Sequence, residues 1–140
     1  MQLFDHYLSG ENLYTRIVTP VCEAHGLTYM EFTIVMFLAN NPQYDTASEL
    51  VRVRHLTKSH VSVSVRSLQE KGLVQGTYEG RDRRTIHLHL TERASDAVRD
   101  GRQAQRRFQE ILFTGFTREE MEQAAAFTGR IHQNIQNYEK

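Results

Sequence analysis

At Gly72 the helical period of this chain's hydrophobic pattern breaks off, and near Thr91 it resumes. Before and after that stretch, apolar residues recur at three and four positions. Within it, Ile86, Leu88 and Leu90 alternate with His87 and His89, which buries one face of a strand and wets the other. Residues 73–79 and 85–90 are therefore expected as two strands, joined by the polar loop Gly80-Arg81-Asp82-Arg83-Arg84. One hairpin set inside an otherwise helical chain restricts the fold to a mainly α class with a small β-hairpin.

The helices announce themselves through their first turns. Thr28-x-x-Glu31, Thr46-x-x-Glu49 and Thr117-x-x-Glu120 are capping boxes, in which the threonine hydroxyl and the glutamate carboxylate each satisfy an orphan backbone N–H. They open helices expected to end near Asn40, near His55 and toward the end of the chain. Thr57 is the expected N-cap of a further helix whose inner stripe is Val61, Ser64, Val65 and Leu68, closed by Gly72 as left-handed terminator. Residues 2–23 carry helical spacing with weak points at Ser9-Gly10 and Pro20. Thr91 is expected to cap a long helix along Ala94, Ala97, Ala104 and Phe108, interrupted at Gly101.

With 140 residues, 39% of them apolar, the chain suffices for one compact lobe with helical extensions. The two terminal helical regions are each about 20 residues, roughly 30 Å long, and a lobe of about 65 residues cannot cover both of their apolar faces. A second copy of the chain is the simplest cover, so a homodimer is expected. No apolar run approaches the roughly 18 residues of a membrane span, and Met1-Gln2-Leu3-Phe4-Asp5-His6 has no signal-peptide character, so no membrane partner is expected and the location is expected to be cytoplasmic.

Seventeen basic and seventeen acidic residues cancel overall, but they are not evenly spread. Residues 48–93 hold nine basic against five acidic side chains, a local excess of four that the flanks balance with the opposite sign. Because phosphate attraction is local at physiological salt, a basic centre between acidic ends suits a nucleic-acid-reading middle held by helical arms. The short helix from Thr46, the tight connection at Arg54-His55-Leu56 and the helix from Thr57 form a helix-turn-helix, whose second helix is offered to the major groove of double-stranded DNA. If Val61, Val65 and Leu68 point inward, Ser59, Ser62, Val63 and Arg66 point outward, with Lys58 and His60 near the N-terminal end. Serine hydroxyls can read base edges, Val63 can pack on a thymine methyl, and Arg66 can grip guanine or phosphate. Arg81, Arg83 and Arg84 crowd a loop tip where only Asp82 offsets them, and arginines suit a narrow electronegative minor groove.

Other chemistry is thinly represented. Cys22, the single cysteine, excludes an intrachain disulfide and is a candidate redox sensor beside Glu23 and His25. Cys22, Glu23, His25 and Glu31 also form a conceivable set of metal ligands, but no metal site and no cofactor are expected. His87 and His89 are expected as solvated side chains. The chain has no glycine-rich phosphate loop, nucleophile elbow or His-Glu-x-x-His, so an enzyme is not expected.

The order of elements, together with Leu68-Gln69-Glu70-Lys71-Gly72-Leu73-Val74, Asp82-Arg83-Arg84 and Leu88-His89-Leu90-Thr91-Glu92, resembles the MarR family of winged-helix transcriptional regulators from about Leu27 to Val98, and in outline through both terminal helices. The resemblance implies a winged helix-turn-helix DNA-binding lobe at residues 28–93, with residues 1–24 and 94–140 as helical dimerisation regions of a single chain. It implies an obligate dimer on pseudo-palindromic operators, half-sites about 34 Å apart, acting as a repressor and relieved by a small effector such as an aromatic acid. It further implies that Arg84 reaches the minor groove while Asp82 holds the wing's shape. The chain departs from the family pattern at Gly76, Val63 and Ser67, where arginine is common, and at Ala94, where glycine often stands. The alternative is a winged-helix module that binds protein or RNA.

Overall fold

A computed structural model describes residues 2–140. Helices α1 (Gln2–Ala24), α2 (Tyr29–Asn40), α3 (Ala47–Arg54) and α4 (Lys58–Glu70) are followed by strands β1 (Val74–Thr77) and β2 (His87–Leu90). A single 3₁₀ turn (Glu92–Ala94) leads into α5 (Ser95–Leu112), and α6 (Arg118–Tyr138) completes the chain. The architecture is the expected mainly α winged helix with one hairpin. It divides into two compact units, Met1–Arg107 and Phe108–Lys140, so the first takes in α1 and most of α5 along with residues 28–93.

In the first unit, α2 is apolar on nearly all sides because it is the central post of the core: Phe32, Ile34, Val35, Met36, Phe37 and Leu38 are all buried. Val18 and Cys22 of α1, Leu50 of α3, the α4 stripe of Val61, Val65 and Leu68, and Val74 and Leu88 of the strands pack into the same core. Each of the three capping boxes forms with both reciprocal hydrogen bonds. Between α3 and α4, His55 takes a left-handed conformation (φ 52°), which lets the chain turn sharply enough to set the two helices as a pair.

Several local expectations are corrected. Helix α1 runs through Ser9-Gly10 and Pro20 without a break. Proline removes an N–H that would bond the Arg16 carbonyl, but both residues lie on the exposed side, where water can serve that carbonyl instead. The strands are four residues each, shorter than the alternation suggested, in the register Val74↔Leu90 to Thr77↔His87. Thr91 does not cap the long helix. Its hydroxyl donates to the Gly72 carbonyl at 2.6 Å and its N–H to the Leu73 carbonyl, closing the wing's base, and the 3₁₀ turn intervenes before α5 begins.

Gly101 is not an interruption of the α5 stripe but its point of closest approach. With Ala97 and Ala104 it forms a buried row of small residues, and a Cβ at Gly101 would lie 2.5 Å from Sδ of Met36 and 3.0 Å from Cε2 of Phe32. Because both neighbours are buried in a filled core, Gly101→Leu is expected to lower the midpoint of thermal unfolding by about 10 °C, on an overpacking cost of about 3 kcal/mol. A melting curve within 2 °C of the parent, roughly, would mean that α5 can move off α2 at no cost.

The second unit is dominated by α6. None of its residues is buried, yet Met121, Phe127, Ile131, Ile135 and Tyr138 are large apolar side chains on one side of the helix, all exposed. In the first unit, Leu3, Phe4, Tyr7 and Leu8 of α1 are likewise exposed.

Candidate nucleic-acid interface

Helix α4 is strictly two-sided. Its core stripe holds it against α2, and Lys58, Ser59, His60, Ser62, Val63 and Arg66 all lie on the exposed face. Val63 is 66% exposed, an arrangement with no benefit to the isolated fold, since a β-branched apolar side chain neither favours a helix nor gains from water. Thr57 occupies the N-cap position without a side-chain bond, so the first amides of α4 keep their donors turned to the surface.

Three hydrogen bonds tie the C-terminal end of that helix to the start of α2 and the turn before it. Lys71, at its C-terminal end, donates from Nζ to Oε2 of Glu31 at 2.6 Å and to the carbonyl of Gly26 at 2.8 Å, and Ser67 donates to the same carboxylate. The Glu31 side chain is almost wholly buried. Burial alone would favour its neutral acid, but the bonds from Lys71 and Thr28 outweigh that and hold the carboxyl below its ordinary range. At α3, the Glu49 carboxylate accepts the N–H groups of both Thr46 and Asp45, which pull it below its usual value and lock the first helix of the pair.

The wing begins where Gly76 lets two strands meet. A Cβ at Gly76 would run into Cδ1 of Ile86 and lie 2.9 Å from Nε2 of Gln69, so the absence of a larger residue there is what leaves room for Ile86 over the strand. At the tip, Arg81, Asp82, Arg83 and Arg84 are exposed. The Asp82 carboxylate accepts the Arg84 N–H at 2.9 Å and the Asp82 N–H donates to the Glu79 carbonyl, two bonds that close the tip. The Arg84 side chain is 98% exposed, its Nε 3.9 Å from Asp82. Arg83 differs from its neighbours: its guanidinium lies over the Tyr78 ring, 5.3 Å from the centroid, which turns it toward the wing's own strand.

The sequence reading missed several participants. Arg52 and Arg54 on α3 lie over the rings of Tyr44 and Phe37, a placement that periodicity does not reveal. His87 is not a solvated strand residue. Its Nδ1 is 2.9 Å from Oδ1 of Asp45 and its ring is only 18% exposed, while His89 pairs with the Thr77 hydroxyl.

The other candidates are placed in ways that count against them. Cys22 is 6% exposed, and burial pushes its thiol above the ordinary value, which is the reverse of what an oxidant-sensing thiolate requires. His25 is committed to Asp100 at 2.8 Å and Glu31 to Lys71, so the imagined ligand set with Cys22 and Glu23 does not assemble. Among the described residues no helix is long and apolar enough to cross a membrane.

A family model described as the MarR family matches residues 25–85, the stretch from the α1–α2 turn to the wing. Over 86 residues the chain is 38% identical to the HTH-type transcriptional regulator PetP of Rhodobacter capsulatus; the match takes in 61% of this chain and 51% of that protein, so it spans about half of the relative's length. Among solved structures, a MarR protein from Peptoclostridium difficile superposes with a TM-score of 0.85 at 19% identity, covering 99% of this chain and 90% of that one. BpsR of Bordetella bronchiseptica, described as regulated in its DNA binding by 6-hydroxynicotinic acid, gives 0.73 at 15% identity, covering 94% and 99%. At such identities the structural likeness speaks for the fold alone.

Proposed function

We propose that this chain, whose residues 25–85 match the MarR family model, is a regulator of that family: a sequence-specific, double-stranded-DNA-binding transcriptional regulator and not an enzyme. It acts as a homodimer on pseudo-palindromic operators, as a repressor released by a small effector. The observation that carries this reading is the outer face of α4, which bears Lys58, Ser59, His60, Ser62, Val63 and Arg66, serves no packing role and lies in the same compact unit as an arginine-tipped wing. In this reading Ser59, Ser62, Val63 and Arg66 read base edges in the major groove, while Lys58 and the α4 amides hold phosphates. Arg84 and Arg81 enter the minor groove, Asp82 keeps the tip closed, and Arg83 stiffens it through Tyr78. Residues 28–93 are then the DNA-reading lobe, and residues 1–24 and 94–140 supply the dimerisation arms. Access to a chromosome accords with a cytoplasmic location.

The effector's seat in this reading is a groove in the first unit. The groove, of about 440 Å³, runs between α1 and α5, walled by Ile17, Pro20, Val21 and Ala24 on one side and by Asp100, Gln103, Ala104 and Arg107 on the other. Its α1 wall is apolar and its α5 wall largely polar, with the Asp100 carboxylate engaged by His25, a division that suits a small aromatic ring bearing a polar group.

The deciding experiment is selection of bound duplexes from random DNA with purified protein. Enrichment of a two-fold motif with half-sites about one helical turn apart is the expected result. Affinity for that duplex should fall about 10³-fold between 50 and 200 mM salt, the response to several phosphate contacts. Failure to enrich any duplex, with binding insensitive to salt, would instead favour a protein-binding or RNA-binding module.

A further inference from the structure

The wing is joined to the helical body by ionisable groups that DNA contact does not employ. His87, the first residue of β2, faces Thr46 across an isolated antiparallel bridge. One ring nitrogen lies 2.9 Å from the Asp45 carboxylate in the α2–α3 loop and the other 3.9 Å from the carboxylate of Glu79, just past β1. The neighbouring Leu88 N–H donates to the Asp45 carbonyl at 2.6 Å, and the Asp45 N–H donates to Glu49 of α3. A single imidazole thus stands among three carboxylates, Asp45, Glu49 and Glu79, drawn from the loop, the first helix of the helix-turn-helix and the wing.

We propose that His87 is a proton-operated tie for the wing: its imidazolium holds the Glu79 end of the hairpin to the Asp45 loop, and loss of the proton loosens the hairpin and weakens DNA binding as pH rises. With the proton gone, the carboxylates face one another with no cation between them, and like charges at such range repel. The hydrogen bond that the imidazole donates to the Asp45 carboxylate raises it above its ordinary value of 6.5, with burial opposing. The sign follows from the raised value: the tie is complete below pH 6.5 and is lost as pH climbs through the higher value of the folded state. This inference rests on the DNA-binding role assigned to the wing.

The test compares wild type, His87→Gln, Glu79→Gln and Arg84→Ala. Affinity for the selected duplex is measured at fixed salt from pH 6 to 8.5, and amide hydrogen exchange of residues 77–88 is followed in the free protein with intrinsic rates corrected for pH. Wild-type affinity should fall about threefold per pH unit, inside the tenfold that one coupled proton permits, and wing protection should fall in parallel. Both trends should vanish in His87→Gln and shrink in Glu79→Gln, whose exposed side chain leaves folding intact. Equal pH slopes in wild type and His87→Gln would overturn the tie, as would wing protection that does not respond to pH. If Arg84→Ala binds as tightly as wild type, the wing's DNA role fails, and the exchange measurement on free protein still judges the tie by itself.

Discussion

Ile131→Asp combined with Ile135→Asp should convert the protein to a monomer and lower its affinity for operator DNA at least about 100-fold. Helix α6 extends for 21 residues without burying one, yet Met121, Phe127, Ile131, Ile135 and Tyr138 lie within a single broad face. A helix of that kind cannot be held by propensity alone in water and needs an apolar partner. A second copy of the same helix meets that need, and carboxylates placed at its centre would be desolvated without counter-ions on association. DNA binding then suffers through geometry. Two lobes held in one dimer find successive half-sites at an effective concentration near the millimolar range, whereas separate lobes must find them independently. Sedimentation velocity and a titration with the full palindrome check both halves, and far-UV circular dichroism verifies that helices persist. A doubly substituted protein that remains dimeric and binds normally would remove α6 from the interface.

Lys71→Met should destabilise the fold by about 3 kcal/mol, the cost of leaving a buried carboxylate without its cation. Glu31 is nearly sealed from solvent and takes its shortest bond from Lys71. In the parent protein its carboxyl lies below the ordinary value of 4.5, so its contribution to stability is present above that pH and is lost as pH falls through the depressed value. In the variant burial acts unopposed except by Thr28 and Ser67, which raises the carboxyl and reverses the sense. The difference in unfolding midpoint between parent and variant should therefore be greatest near pH 7 and narrow steadily toward pH 4. A deficit independent of pH would show that Lys71 matters through its aliphatic stem and the Gly26 carbonyl instead of through charge. Because Lys71 ends α4, the variant should also bind operator less tightly at temperatures where it remains folded.

What could be read from the sequence was what neighbouring residues decide together. Thr28 with Glu31, Thr46 with Glu49, and Thr117 with Glu120 are three apart and bond each other in the fold. The α4 stripe has helical spacing, and that spacing alone assigns each residue of its outer face, Val63 included. The Asp82 bond to the Arg84 N–H spans two positions. Features that depend on distant partners were not accessible. His87 meets Asp45 across 42 positions and Lys71 meets Glu31 across 40; nothing local distinguishes these from solvated charges. Gly101 read as a flaw in a stripe because its reason for being small, Met36, lies on another helix. The α1 helix read as interrupted because a proline's effect depends on whether the carbonyl it abandons can reach water.

The outward-facing residues of α4 carry no structural duty, and that freedom has an evolutionary consequence. Ser59, Ser62, Val63 and Arg66 can be exchanged without opening a cavity or stranding a buried polar group. Duplicated copies of such a gene could acquire new target sequences one substitution at a time, each intermediate as well folded as its ancestor.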